Sequence, residues 1–201
     1  MSWTLAMSAE TTSPKMPRPI SRVRYVLYVS FILLAAAIVY ARFGYGLLVF
    51  RVPSHSMLNT LQVGDFIYTT TSEAYRRGDI VVLRDPDSAK KGGYLVKRLI
   101  GLPGDHVRID WGALYLNGYY ASEPYLVEPM RYDMAEYTLA GDEIFILGDN
   151  RNESEDSSVW VKDSTFHVRL EDIVGKVRGI YLPFSRIRML RSFPLTNSMG
   201  E

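Results

Sequence analysis

From Tyr25 to Ala41 the chain reads YVLYVSFILLAAAIVYA, seventeen residues without Asp, Glu, Lys, Arg or His. A run of that length stands at the lower edge of what crosses a bilayer as a helix. Arg42 can snorkel, and Phe43 to Phe50 is apolar again, so the span can extend a little. Tyr25, Tyr28 and Tyr40, near the two ends, have the character of interfacial anchors. Lys15, Arg18, Arg22 and Arg24 precede the run. That basic flank predicts the N-terminal side in the cytoplasm and everything after Ala41 outside, with membrane lipid as a standing partner. A cleaved signal peptide and a buried core helix are the alternatives. A signal peptide's apolar region is usually shorter, although Ala35-Ala36-Ala37 could mimic a cleavage site.

Residues 1–20 are rich in Ser, Thr, Pro and Met without apolar periodicity, and read as a disordered tail. Beyond the span the pattern turns from helical to β. Short β-branched and aromatic runs recur, each bounded by Gly, Pro, Asn or Asp. They are 47–52, 66–71, 80–84, 94–100, 106–110, 113–116, 143–147 and 173–182. Trp111-Gly112 reads as a tight hairpin turn and Pro103-Gly104-Asp105 as another turn. The one expected piece of helix past the span is a short turn at Met57–Leu61. The expected organisation is an N-terminal tail (1–24), an anchor (25–42), one mainly antiparallel β domain (43–190) and a loose C-terminal tail (191–201). A chain of 201 residues has room for one such domain and its core.

The menu of chemistry is short. With no cysteine, disulfides, thiolate catalysis and Cys-based zinc sites are excluded. A net charge of +1 points to no nucleic acid partner. His55, His106 and His167 are scattered without metal-ligand spacing, so no metal is expected. Serine offers more. Ser54-His55-Ser56-Met57 leaves the first strand after the span, and Pro53 restricts the backbone there. A serine hydroxyl is unreactive until a base accepts its proton. His55 is a poor base for Ser56, because adjacent residues of an extended chain face opposite ways. Lys97 lies in the apolar strand Tyr94–Ile100, where alternation sets it on one face with Leu95 and Leu99. Burial there would lower its pKa and supply a neutral amine, as a general base requires. A lysine marking an exposed strand edge is the competing reading.

Five segments in order resemble the boxes of bacterial type I signal peptidases. Pro53-Ser54-His55-Ser56-Met57-Leu58-Asn59-Thr60-Leu61, followed by Gly64-Asp65, is similar to the family's serine box. Arg77-Gly78-Asp79-Ile80-Val81-Val82 resembles the next. Lys97-Arg98-Leu99-Ile100-Gly101-Leu102-Pro103-Gly104-Asp105 resembles the lysine box. Asn117-Gly118 with Glu123-Pro124-Tyr125 follows, and Gly148-Asp149-Asn150-Arg151, Ser154 and Asp156-Ser157 match the last box. The resemblance implies a signal-peptidase-type β fold behind one transmembrane helix, in the plasma (inner) membrane. Its substrates would be signal-peptide-bearing precursors of exported proteins, cut by a Ser-Lys serine endopeptidase without cofactor. It implies Ser56 as nucleophile and Lys97 as base, with Ser54 and the Ser56 N–H on the oxyanion. Ser154 would orient Lys97, Arg98 and Asp149 would form a supporting ion pair, and Asp156 would support the same region. Phe50, Val52, Leu61 and Val96 would line the pockets for small substrate side chains.

The chain departs from that pattern at His55 (usually Gly), Asn59 (usually Pro) and Ser158 (usually an Arg pairing the aspartate matched by Asp156). Lys162-Asp163-Ser164-Thr165 is extra. These departures bear on specificity and stability, and leave room for a maturation peptidase with few substrates. An inactive anchored relative would be expected to have lost Ser56, Lys97 or Ser154, and all three are present. A self-cleaving Ser-Lys repressor would lack the span and carry a helix-turn-helix.

Overall fold

The computed structural model describes residues 21–195, apart from 73, 88–92 and 166. The tail expected at 1–20 and the last six residues lie outside that range. The chain divides into two units, one through Val39 and one from Tyr40. The first is helical. Helix α1 runs Arg22–Gly44, 23 residues, three further toward the N-terminus and two further toward the C-terminus than the expected anchor. Leu, Ala and Arg all favour helix, so the backbone continues past the apolar limit until glycine at 44 stops it. At 1.5 Å per residue it is about 34 Å long, enough to cross a bilayer's hydrocarbon core.

The second unit is two antiparallel sheets. The strands are β1 (Leu48–Arg51), β2 (Phe66–Thr70), β3 (Ile80–Arg84), β4 (Tyr94–Gly101), β5 (His106–Asp110), β6 (Ala113–Leu116), β7 (Tyr119–Tyr120), β8 (Met134–Thr138), β9 (Glu143–Leu147), β10 (Val168–Arg169), β11 (Ile173–Leu182) and β12 (Arg188–Met189). The larger sheet has the order β1-β2-β11-β3-β4-β9-β10, with β12 paired to β11. The smaller is β7-β6-β5-β8. β3 and β9 are buried on both faces, which is why they read as unbroken apolar runs. The β5–β6 hairpin closes through Trp111 (φ 50°) and Gly112 (φ 72°), the two left-handed residues of the expected tight turn.

Three apolar clusters hold the sheets together. Ile100, Val107, Ile109, Leu116 and Phe145 join the small sheet to β4 and β9. Val52, Met57, Leu61, Ile67 and Val82 pack on one face of the large sheet. Val81, Leu99, Ile146, Trp160 and Val168 form the third cluster. Trp160 comes from helix α2 (Ser157–Asp163), an element that sequence periodicity did not reveal. Its seven residues are too few to show a 3.6-residue repeat, and Val159 and Val161 favour strand. The Asp156 carboxylate caps α2 by accepting the Ser158 N–H at 3.1 Å. Met57–Leu61 forms hydrogen-bonded turns rather than a regular helix, with Leu58 N–H on the His55 carbonyl and Leu61 N–H on that of Met57. Of the expected C-terminal tail, the described residues are 191–195. Leu195 is buried in the first cluster, carried there by contacts that sequence pattern does not encode.

Candidate active site

The serine turn leaves β1 and the lysine stands on β4, and both border one cleft of about 410 Å³. Its walls include Val52, Ser54, His55, Ser56, Tyr94, Val96, Lys97 and Trp160. Ser54 Oγ and Ser56 Oγ are 3.3 Å apart. Lys97 is 3% exposed and pairs across the ladder with Val81, so it occupies the face sealed by Val81 and Leu99. Its Nζ donates to Ser154 Oγ at 2.7 Å. Burial pushes the Lys97 amine below the ordinary lysine value, against the opposing pull of the Asp156, Glu155 and Asp85 charges. The exposed-edge reading of Lys97 is therefore set aside by the geometry.

The serine turn and the last box are locked together at Gly148. A Cβ built there would lie 2.4 Å from the Ser56 carbonyl oxygen and 2.3 Å from Ser154 Oγ, so only glycine lets the three segments meet. Asn150 N–H donates to the Ser56 carbonyl at 3.0 Å, and its side-chain amide donates to that of His55 at 3.2 Å. The Gly148 N–H donates to Asp156 Oδ2 at 2.9 Å. Asp156 Oδ1 also accepts from the Ser158 hydroxyl at 2.7 Å, so Ser158 satisfies this fully buried carboxylate with neutral donors.

Behind the lysine, Arg98 Nε and Nη2 each donate to Asp149 at 2.7 Å, and both side chains are wholly buried. Arg98 Nη1 donates to the Gly78 carbonyl at 2.8 Å, and Thr60 Oγ1 donates to Asp149 Oδ2 at 2.5 Å. Of the expected pocket residues, Val52 and Val96 face the cleft. Leu61 is fully buried among Met57 and Ile67, and Phe50 packs on that cluster, edge-on to Tyr94. Sequence reasoning had no role for Arg151, whose buried guanidinium is paired bidentately with Glu123. A charged pair of residues in otherwise matched boxes was the available signal. The acids Asp85, Glu153 and Glu155 at the cleft were also missed.

Ser154→Ala is expected to lower kcat by about 10- to 100-fold while KM stays near wild type and Tm falls by a few degrees at most. Loss of a hydrogen bond on a buried amine costs about 1–3 kcal/mol. Steady-state kinetics with a thermal melt of each protein checks it, and an unchanged kcat would remove Ser154 from the site.

The site thus brings a half-exposed serine at a strand exit and a buried amine of lowered pKa to one cleft, with the Ser154 hydroxyl hydrogen-bonded to that amine. Comparison with known proteins gives the family. The family described as "Signal peptidase, peptidase S26" matches residues 23–182. The probable signal peptidase I-2 of Synechocystis sp. is 36% identical over 146 residues, covering 69% of this chain and 65% of the relative. The probable signal peptidase I-1 of the same organism is 33% identical over 151 residues, covering 71% and 74%. Signal peptidase I U of Bacillus subtilis is 32% identical over 203 residues, covering 92% of this chain and all of the relative. The chain belongs to the signal peptidase family, peptidase S26.

Proposed function

We propose that this protein is a membrane-anchored serine endopeptidase that removes signal peptides from exported precursors. Ser56 is the nucleophile and Lys97 the general base. The observation that carries the reading is the buried Lys97 amine, held 2.7 Å from Ser154 Oγ at the wall of the cleft that Ser56 also borders. Ser56 Oγ attacks the scissile carbonyl while neutral Lys97 takes its proton and passes it to the departing amine. The resulting ester is cleaved by water, again deprotonated by Lys97, which releases the new carboxylate and restores Ser56. The Ser56 N–H and the Ser54 hydroxyl stabilise the oxyanion, whose charge exists only in transit.

Helix α1 supports the anchoring. The basic flank at Lys15, Arg18, Arg22 and Arg24 supports an N-terminus in the cytoplasm and a catalytic domain outside the plasma membrane. Ser56 stands fifteen positions beyond Ala41, a chain reach of at most about 50 Å from the end of the apolar run. Precursors are tethered to the same surface by their own apolar segments, which raises their effective concentration. The test is a purified precursor with an Ala-x-Ala site, incubated with the full chain in detergent and analysed by mass spectrometry. Cleavage directly after the second Ala is expected, and an intact precursor with folded protein would count against general signal peptidase activity. A narrower substrate set is the second reading, favoured by His55, a cleft residue that stands between the two serines in sequence. It is distinguished by cleavage of one precursor among many.

A further inference from the structure

The segment that ends the described chain is seated behind the candidate active site. Ser192 Oγ donates to Asp79 Oδ1 at 2.5 Å, on a buried carboxylate that Lys176 Nζ also reaches at 2.5 Å. The Phe193 carbonyl lies so close to Gly78 that a Cβ built there would stand 1.6 Å from the oxygen. The Phe193 ring is 5.8 Å from the Arg98 guanidinium carbon and 5.8 Å from the Tyr125 ring. Tyr125 itself stacks on that guanidinium at 3.8 Å. Leu195, 7% exposed, pins the far end of the segment in the core.

These contacts converge on the turn at Arg77–Asp79 and on the Arg98 cation. We propose that residues 192–195 form a strap that holds Arg98, and through it Lys97 and the Gly148–Asp149 loop, in the geometry that catalysis requires, with Phe193 as the positioning residue. The inference rests on Ser56 and Lys97 being the catalytic pair. Arg98 adjoins Lys97 on β4, and Asp149, its bidentate partner, adjoins Gly148, against which both the Ser56 carbonyl and Ser154 Oγ pack. Phe193 is 42% exposed, so its ring contributes little to the core. What it supplies is a cover over a buried cation, and a cover that excludes water strengthens the ion pair beneath it.

The test uses the full-length chain with Phe193→Ala and Phe193→Tyr, assayed well below each Tm. Phe193→Ala is expected to lower kcat about tenfold with KM within about twofold, since small displacements of catalytic groups are costly. Phe193→Tyr keeps a ring over the cation and restores most of the rate. Amide hydrogen exchange, which needs no substrate, is expected to quicken in Phe193→Ala at Leu99 and Gly148–Asn150 while β5 to β8 stay unchanged. That readout stands even if no precursor is cut. A folded Phe193→Ala with wild-type kcat, a fall carried by KM, or exchange that is unchanged or raised evenly through the domain would overturn the strap.

Discussion

Lys97→Ala is expected to lower the cleavage rate at neutral pH by about 100- to 10,000-fold, the span a positioned general base commonly supplies. Lys97→Arg is expected to be as inactive, because a guanidinium stays charged at any working pH and can accept no proton. In the wild type the rate rises with pH as the amine loses its proton. Burial on the face of Val81 and Leu99 lowers the amine's pKa, so that rise falls below the ordinary lysine range. The same shift leaves a mark on stability. Between the depressed native value and the ordinary one, the unfolded chain holds a proton that the native chain has lost. The neutral Lys97 therefore adds stability as pH climbs through that window, and Lys97→Met flattens the slope. A pH–rate profile and melts across the same pH series measure both. Substantial activity in Lys97→Arg would contradict a lysine base.

Asp149→Ala is expected to destabilise the domain by about 3–5 kcal/mol, because it leaves the Arg98 cation buried with the Gly78 carbonyl as its remaining hydrogen-bond acceptor among the described residues. For a domain of this size the fall in Tm is on the order of 10 °C. Replacing both partners by apolar residues, Arg98→Met with Asp149→Leu, is expected to recover much of that stability, since no charge is then left in the interior. Activity is not expected to return with it, because the cation that braces Lys97 and the Gly148 loop is gone. Thermal unfolding of the single and double variants, with kinetics on each, separates the two roles. A loss below about 1 kcal/mol in Asp149→Ala would mean that the pair carries little of the fold.

The parts of this molecule that were legible in its sequence are those whose surroundings are uniform. Ile80–Arg84 and Glu143–Leu147 are covered on both faces, so their apolar runs announce them. Lys97 was legible because it interrupts Leu95 and Leu99, and a charge in that register needs a reason. Elements that depend on distant partners were not. β8, reading Met-Ala-Glu-Tyr-Thr, has weak strand propensity and exists because β5 offers it an edge. Helix α2 is set by the Asp156 cap and the burial of Trp160. The strap was read as a loose tail because Pro194 separates its two apolar residues, while its seat on Gly78 lies more than a hundred residues away in sequence. Leu61 and Phe50 were placed on the pocket wall by resemblance, and the structure packs both into or against the cluster behind Val52.

If Ser56 and Lys97 act as one catalytic pair, Ser56→Ala removes the nucleophile and leaves the fold intact. The full-length variant and wild type are incubated in detergent with a precursor bearing an Ala-x-Ala site, after both have given the same melting profile. The wild type is expected to release the mature protein and Ser56→Ala to leave the precursor intact over the same period. Cleavage by a folded Ser56→Ala at the wild-type site and near the wild-type rate would contradict that pairing and move the nucleophile elsewhere.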